Sequence, residues 1–235
     1  MRKVLSLYSR ELEHYFATPI GYVVIGSFWL ASGFFFSLNT IFVSAIDMVS
    51  AFHNMSILLL LLAPLMSMRS FPEEYRQGTY ELLVSLKIGS YLMVLTKFLA
   101  LLTLLAIMLL GSTTSVAVLM IFSEPDLGPI LGGYLGITLL GSTFIAIGVL
   151  VSVFSKNQIV SAVVTWIVLI ALWFADYATA LTTSKIVSEI IFHVSFSVAY
   201  LDLIRGVLDL GSVVYFLSSI VLCLVASSTA LAVRK

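Results

Sequence analysis

The chain has 235 residues, 60% hydrophobic and only 10% charged, with a mean hydropathy of +1.13. Soluble domains carry about 25% charged residues, so this composition excludes an ordinary water-soluble globule and points to a membrane protein. The 12 basic and 12 acidic residues cancel, so net charge excludes nothing, and only their placement informs.

In chain order, residues 3–16 predict an amphipathic helix. Val4, Leu7, Leu12 and Tyr15 recur at helical spacing, with Arg10, Glu11 and His14 as its polar side. Such a helix lies along a membrane surface. The charges before the first apolar run do not fit a signal peptide, so the N-terminus is expected to be retained. Six runs of about 20 or more apolar residues follow, each long enough to cross a bilayer as a helix. They cover roughly 20–39, 49–68, 91–122, 130–154, 159–180 and 211–232. Most are apolar all round, which fits helices and not the alternating strands of a barrel. The expected fold is therefore an all-α polytopic membrane protein, a single transmembrane domain over 1–235. Residues 184–210, too charged to span and too apolar to float free, predict one or two short helices dipping in at the opposite face.

Six spans put both termini on one side. Arg2, Lys3, Arg10, Arg69, Arg76, Lys87, Lys97, Lys156, Arg234 and Lys235 then share that side, against Lys185 and Arg205 on the other. The positive-inside rule makes the first side cytoplasmic. This gives a multi-pass protein of the cell (inner) membrane with both termini in the cytoplasm.

Motifs for chemistry are sparse. The sequence has no phosphate-cradling G-x-x-x-x-G-K-[ST] loop, no H-E-x-x-H and no C-x-x-C. The histidines at 14, 53 and 193 are scattered. Glu189 and His193 stand four apart, which is the spacing of a helix-surface pair. Cys223 is alone and reads as a core thiol. Asp176, near the outer end of the fifth span, is the nearest approach to an intramembrane charge. Ion-coupled transport therefore lacks its usual carboxylates, and the driving energy is expected from another subunit. No catalytic residue, metal ligand or cofactor is assigned to this chain, it is not expected to be an enzyme, and nothing points to nucleic acid.

Between the second and third spans lies "SFPEEYRQGTYELLVSL", residues 70–86. Pro72 suits the first turn of a helix, and Glu73 and Glu74 suit its N-terminal end. Gly78 breaks or kinks it. From 79 on, Tyr80, Leu82, Leu83, Val84, Leu86 and Ile88 cover most of the helix circumference, leaving a polar strip at Glu81 and Ser85. Such a helix must be covered on more than one side, by its own bundle, by lipid or by a protein partner.

The stretch "EEYRQGTYELLVSLKI", set after the second of six spans, resembles the coupling-helix region of type-2 ABC exporter permeases. Glu73, Glu74, Arg76, Gly78, Thr79, Glu81, Leu82 and Leu83 match that pattern. "YFATPIGYVVIGSFWLASGFFF" at 15–36, "KNQIVSAVVTWIVLIALW" at 156–173 and "RGVLDLGSVVYFLS" at 205–218 resemble the gliding-motility-type branch. The resemblance implies that a helix at roughly 73–88 docks on a cytoplasmic ABC ATPase, which binds ATP and Mg. It implies pairing with a second copy or a homologous half, and in this branch an auxiliary membrane or periplasmic subunit. Short re-entrant helices between spans five and six would close an outer gate, for which Arg205, Asp209 and Tyr215 are the candidates. Gly211 and Ser212 depart from the charged residues of many relatives. The implied function is the transmembrane subunit of an ATP-driven exporter. The alternative is a mechanotransmitter of the same build that works on a periplasmic or membrane partner without transport.

Overall fold

The computed structural model describes residues 2–39, 48–85, 88–122, 125–177 and 195–233. All regular structure among them is helical: α1 (Arg2–Ala17), α2 (Pro19–Leu38), α3 (Met48–Ser67), α4 (Pro72–Gln77), α5 (Thr79–Ser85), α6 (Ser90–Phe122), α7 (Leu127–Phe154), α8 (Gln158–Trp173), α9 (Phe196–Ile204) and α10 (Leu210–Val233). The fold is that of an all-α polytopic membrane protein. Among the described residues five helices, α2, α3, α6, α7 and α10, are long and apolar enough to cross a membrane.

The fifth expected span is shorter than the hydropathy suggests. Helix α8 has 16 residues, about 24 Å at 1.5 Å per residue, short of a hydrocarbon core of about 30 Å. It ends at Trp173, which is buried beside Phe144 and Tyr200. Asp176, just beyond, accepts a hydrogen bond from the Ser195 hydroxyl at 3.4 Å. The chain thus turns before the apolar run is used up, and 178–180 lie outside the described residues. So does 184–194 of the expected outer segment; its described remainder forms α9, with Gly206 beyond it at φ 83.

Helix α7 is the hub, packed against α3, α6, α8, α9 and α10. Small residues let helix backbones approach closely where lipid supplies no hydrophobic drive between them. Gly133 receives the Phe52 ring of α3, Gly136 receives Leu203 of α9, and Gly148 receives Ser67 at the end of α3. Two tryptophans stitch further seams. Trp29 of α2 lies over Gly111 and donates its indole N–H to the Met108 carbonyl of α6 at 3.1 Å. Pro64 lies inside α3 and leaves the Leu60 carbonyl without its helical donor. Beside it, Trp166 of α8 donates to the Leu61 carbonyl at 3.0 Å, the kind of neighbouring-helix support that lets proline sit in a span.

Helix α6 has 33 residues, about 50 Å long and well beyond a hydrocarbon core. Its first turns pack against α1, whose inward stripe is Leu7, Tyr8, Glu11 and Tyr15. Glu11, expected on the polar side of α1, instead turns into the protein.

Candidate functional site

The expected single helix at 73–88 is two helices. Gly78 closes α4 in the left-handed conformation, φ 70, where a residue without Cβ avoids strain, and α5 starts at once. Residues 86 and 87 lie outside the described residues.

Neither α4, with 6 residues, nor α5, with 7, is long enough to hold itself in water. Tyrosines anchor them to the ends of other helices. The last carbonyls of a helix have no partner within it, so an outside donor is favourable there. Tyr75 of α4 donates to Val153 O of α7 at 3.2 Å, and Tyr80 of α5 to Leu231 O of α10 at 3.5 Å. Tyr15 of α1 likewise donates to Met66 O, at the end of α3, at 3.1 Å. The two rings of Tyr75 and Tyr80 meet edge to face, 5.1 Å between centroids. Leu83, 2% exposed, is sunk into the core.

A charged cluster completes the anchorage. Lys97 of α6 is 4% exposed, and its ammonium lies 2.9 Å from Glu74 Oε1 and 3.1 Å from Glu11 Oε2. It also sits 5.2 Å from the centre of the buried Phe71 ring. Arg10 joins the same two carboxylates at 3.2 Å (Glu11) and 3.4 Å (Glu74). Glu73 pairs with His14 at 3.3 Å and accepts from Gln77 at 3.1 Å. These groups line a polar cavity of about 190 Å³ between α1, α4 and α6, together with Arg69. Burial pushes the Glu11 carboxyl up, but the Lys97 ammonium and Arg10 outweigh it and hold it below the usual carboxylate range. Burial raises the Tyr15 phenol to about 12.

The eight matched residues therefore divide. Glu74 and Leu83 face the protein, and Glu73 is largely covered by pairs within α1 and α4. Arg76, Gly78, Thr79 and Glu81 are exposed. The Leu82 side chain lies outside the described set. Next to the exposed group is a cleft of about 390 Å³ with Tyr75 and Tyr80 in its wall and Arg76, Glu81 and Lys156 around it. Lys156, from the α7–α8 turn, is a site residue that sequence reasoning counted only as a charge.

The outer candidates lie elsewhere. Asp209 precedes α10, and the distance along that helix to Leu231, where Tyr80 binds, is about 33 Å. Asp209 Oδ2 accepts from the Ser212 N–H at 3.0 Å and the Ser212 hydroxyl at 3.3 Å. Those bonds, with one from Gly211, hold its carboxyl below the usual range. Arg205 caps the end of α9 and is exposed. Tyr215 packs on Phe196 and Phe216, 5.8 and 5.5 Å between ring centroids. The three share the α9–α10 corner without forming one site with α4–α5.

No protein-family model matches the chain, and no curated protein matches it.

Proposed function

We propose that this chain is the membrane-spanning subunit of an ATP-driven type-2 ABC exporter of the gliding-motility-type branch, and that α4–α5 is the surface on which a cytoplasmic ATPase docks. One observation carries this reading. Two helices too short to stand alone are fastened to α1, α6, α7 and α10, while Arg76, Gly78, Glu81 and Lys156 stay exposed around one cleft. A merely connecting loop has no need of that anchorage, whereas a surface that receives force and passes it to the spans does. The few charges within the spans fit a machine whose energy comes from outside the chain.

On this reading ATP and Mg belong to the partner, and this chain supplies no catalytic group. A second copy or homologous half completes the pathway, an auxiliary membrane or periplasmic subunit joins it, and the bilayer surrounds the assembly. The α4–α5 face is cytoplasmic, in keeping with Arg10, Arg69, Arg76, Lys97 and Lys156 around it.

Affinity purification of the tagged chain in mild detergent tests the proposal. A subunit with nucleotide-binding motifs is expected to co-purify. The double change Arg76→Glu with Glu81→Arg, both on exposed positions, should lower its recovery about tenfold or more while the permease stays folded. Absence of any such subunit from the wild-type preparation, or its undiminished recovery with the double variant, overturns the assignment.

A further inference from the structure

We propose that Lys97 is a pin joining three elements, so that α1, α4–α5 and the first turns of α6 move as one body. The backbone of α4 lies near α5 and α8. Its connection to α1 and α6 runs through side chains, above all the Lys97 ammonium between Glu74 on α4 and Glu11 on α1. Arg10 adds a second strand of the same link, from α1 to Glu74. Two cations and two carboxylates thus close on each other, and the cation at the centre is buried against Phe71. A buried charge that loses one partner is left uncompensated, which makes such a cluster hold or fail as a unit. Glu11 and Glu74 have no bond to each other and act on each other only through Lys97 and Arg10. Helix α1 therefore sets how firmly α4–α5 is seated, and a displacement of α4–α5 draws α1 with it. This inference concerns the chain alone and stands whether or not the docking partner is an ATPase.

Hydrogen exchange of the full chain in lipid nanodiscs tests it, read on the amides of 72–85 and of α1. Lys97→Met should speed exchange in both segments about tenfold or more. Glu11→Gln, which alters no contact of α4, should also speed exchange at 72–85. Lys97→Arg, which keeps the charge but not the compact ammonium, should restore protection only in part, between Lys97→Met and wild type. The neutral triple variant Glu11→Gln, Glu74→Gln, Lys97→Met separates a pin from a stability effect. It removes the buried charges, so its melting temperature should recover while 72–85 stays fast. Wild-type protection of 72–85 in Glu11→Gln, or its full return in the triple variant, overturns the pin. If Lys97→Met does not fold, Glu11→Gln and the triple variant still decide.

Discussion

Glu11 ties one buried carboxylate to the pH dependence of the fold's stability. Its folded pKa lies below the ordinary value of 4.5 because Lys97 and Arg10 outweigh burial. A depressed carboxylate contributes its stability above the unfolded pKa and loses it as pH falls through the folded one. The melting temperature should therefore fall on acidification below about pH 4.5, and fall less in Glu11→Gln, where this titration is gone. Equal acid sensitivity in the two proteins would remove Glu11 from the account. This residue was hard to see in the sequence. It stands among Arg10 and His14 on what the helical period marks as a solvated face. Its partner Lys97 is 86 positions away. The available signal was Lys97 itself, a charge inside a 33-residue apolar helix, where an ammonium needs a counter-ion.

The elements were more legible than their joints. Expected spans 20–39, 49–68, 91–122 and 211–232 differ by about a residue from α2, α3, α6 and α10, because the demand for apolar length is written directly in composition. Helix α7 starts earlier than 130 because Asp126 accepts from the Gly128 N–H and starts the first turn. Helix α8 stops early because tertiary contacts at Trp173 override its hydropathy. Short α4 and α5 were signalled by Pro72 and Gly78, yet their seating was not, since a tyrosine hydroxyl finds a carbonyl only in three dimensions. That seating is measurable. Tyr75→Phe with Tyr80→Phe leaves two helix-end carbonyls without these donors, at about 1 kcal/mol each. Limited proteolysis at 72–85 should quicken in the double variant while the long helices remain protected. Unchanged cleavage there would mean that the hydroxyls do not hold the element.

At the scale of the molecule, α7 ties the two ends together. Its glycines let α3 and α9 approach along one helix, and the same helix ends beneath Tyr75. Gly148→Ala would drive a methyl group into the Ser67 side chain at the end of α3, one short turn before α4. Overpacking of this kind costs about 1–3 kcal/mol. The variant should melt at a lower temperature and show faster exchange at 72–85, although residue 148 is remote from that segment in sequence. A melting temperature equal to wild type would show that the seam has slack.

The two indole N–H bonds make the fold its own spectrometer. The chain has three tryptophans. Trp29 bridges α2 to α6, Trp166 bridges α3 to α8, and Trp173 sits among buried rings. Variants keeping a single tryptophan would report each seam separately by its own fluorescence. Opening of either pair would change the polarity around the one indole that its variant keeps, while the Trp173 variant serves as a parallel reference, with no attached dye.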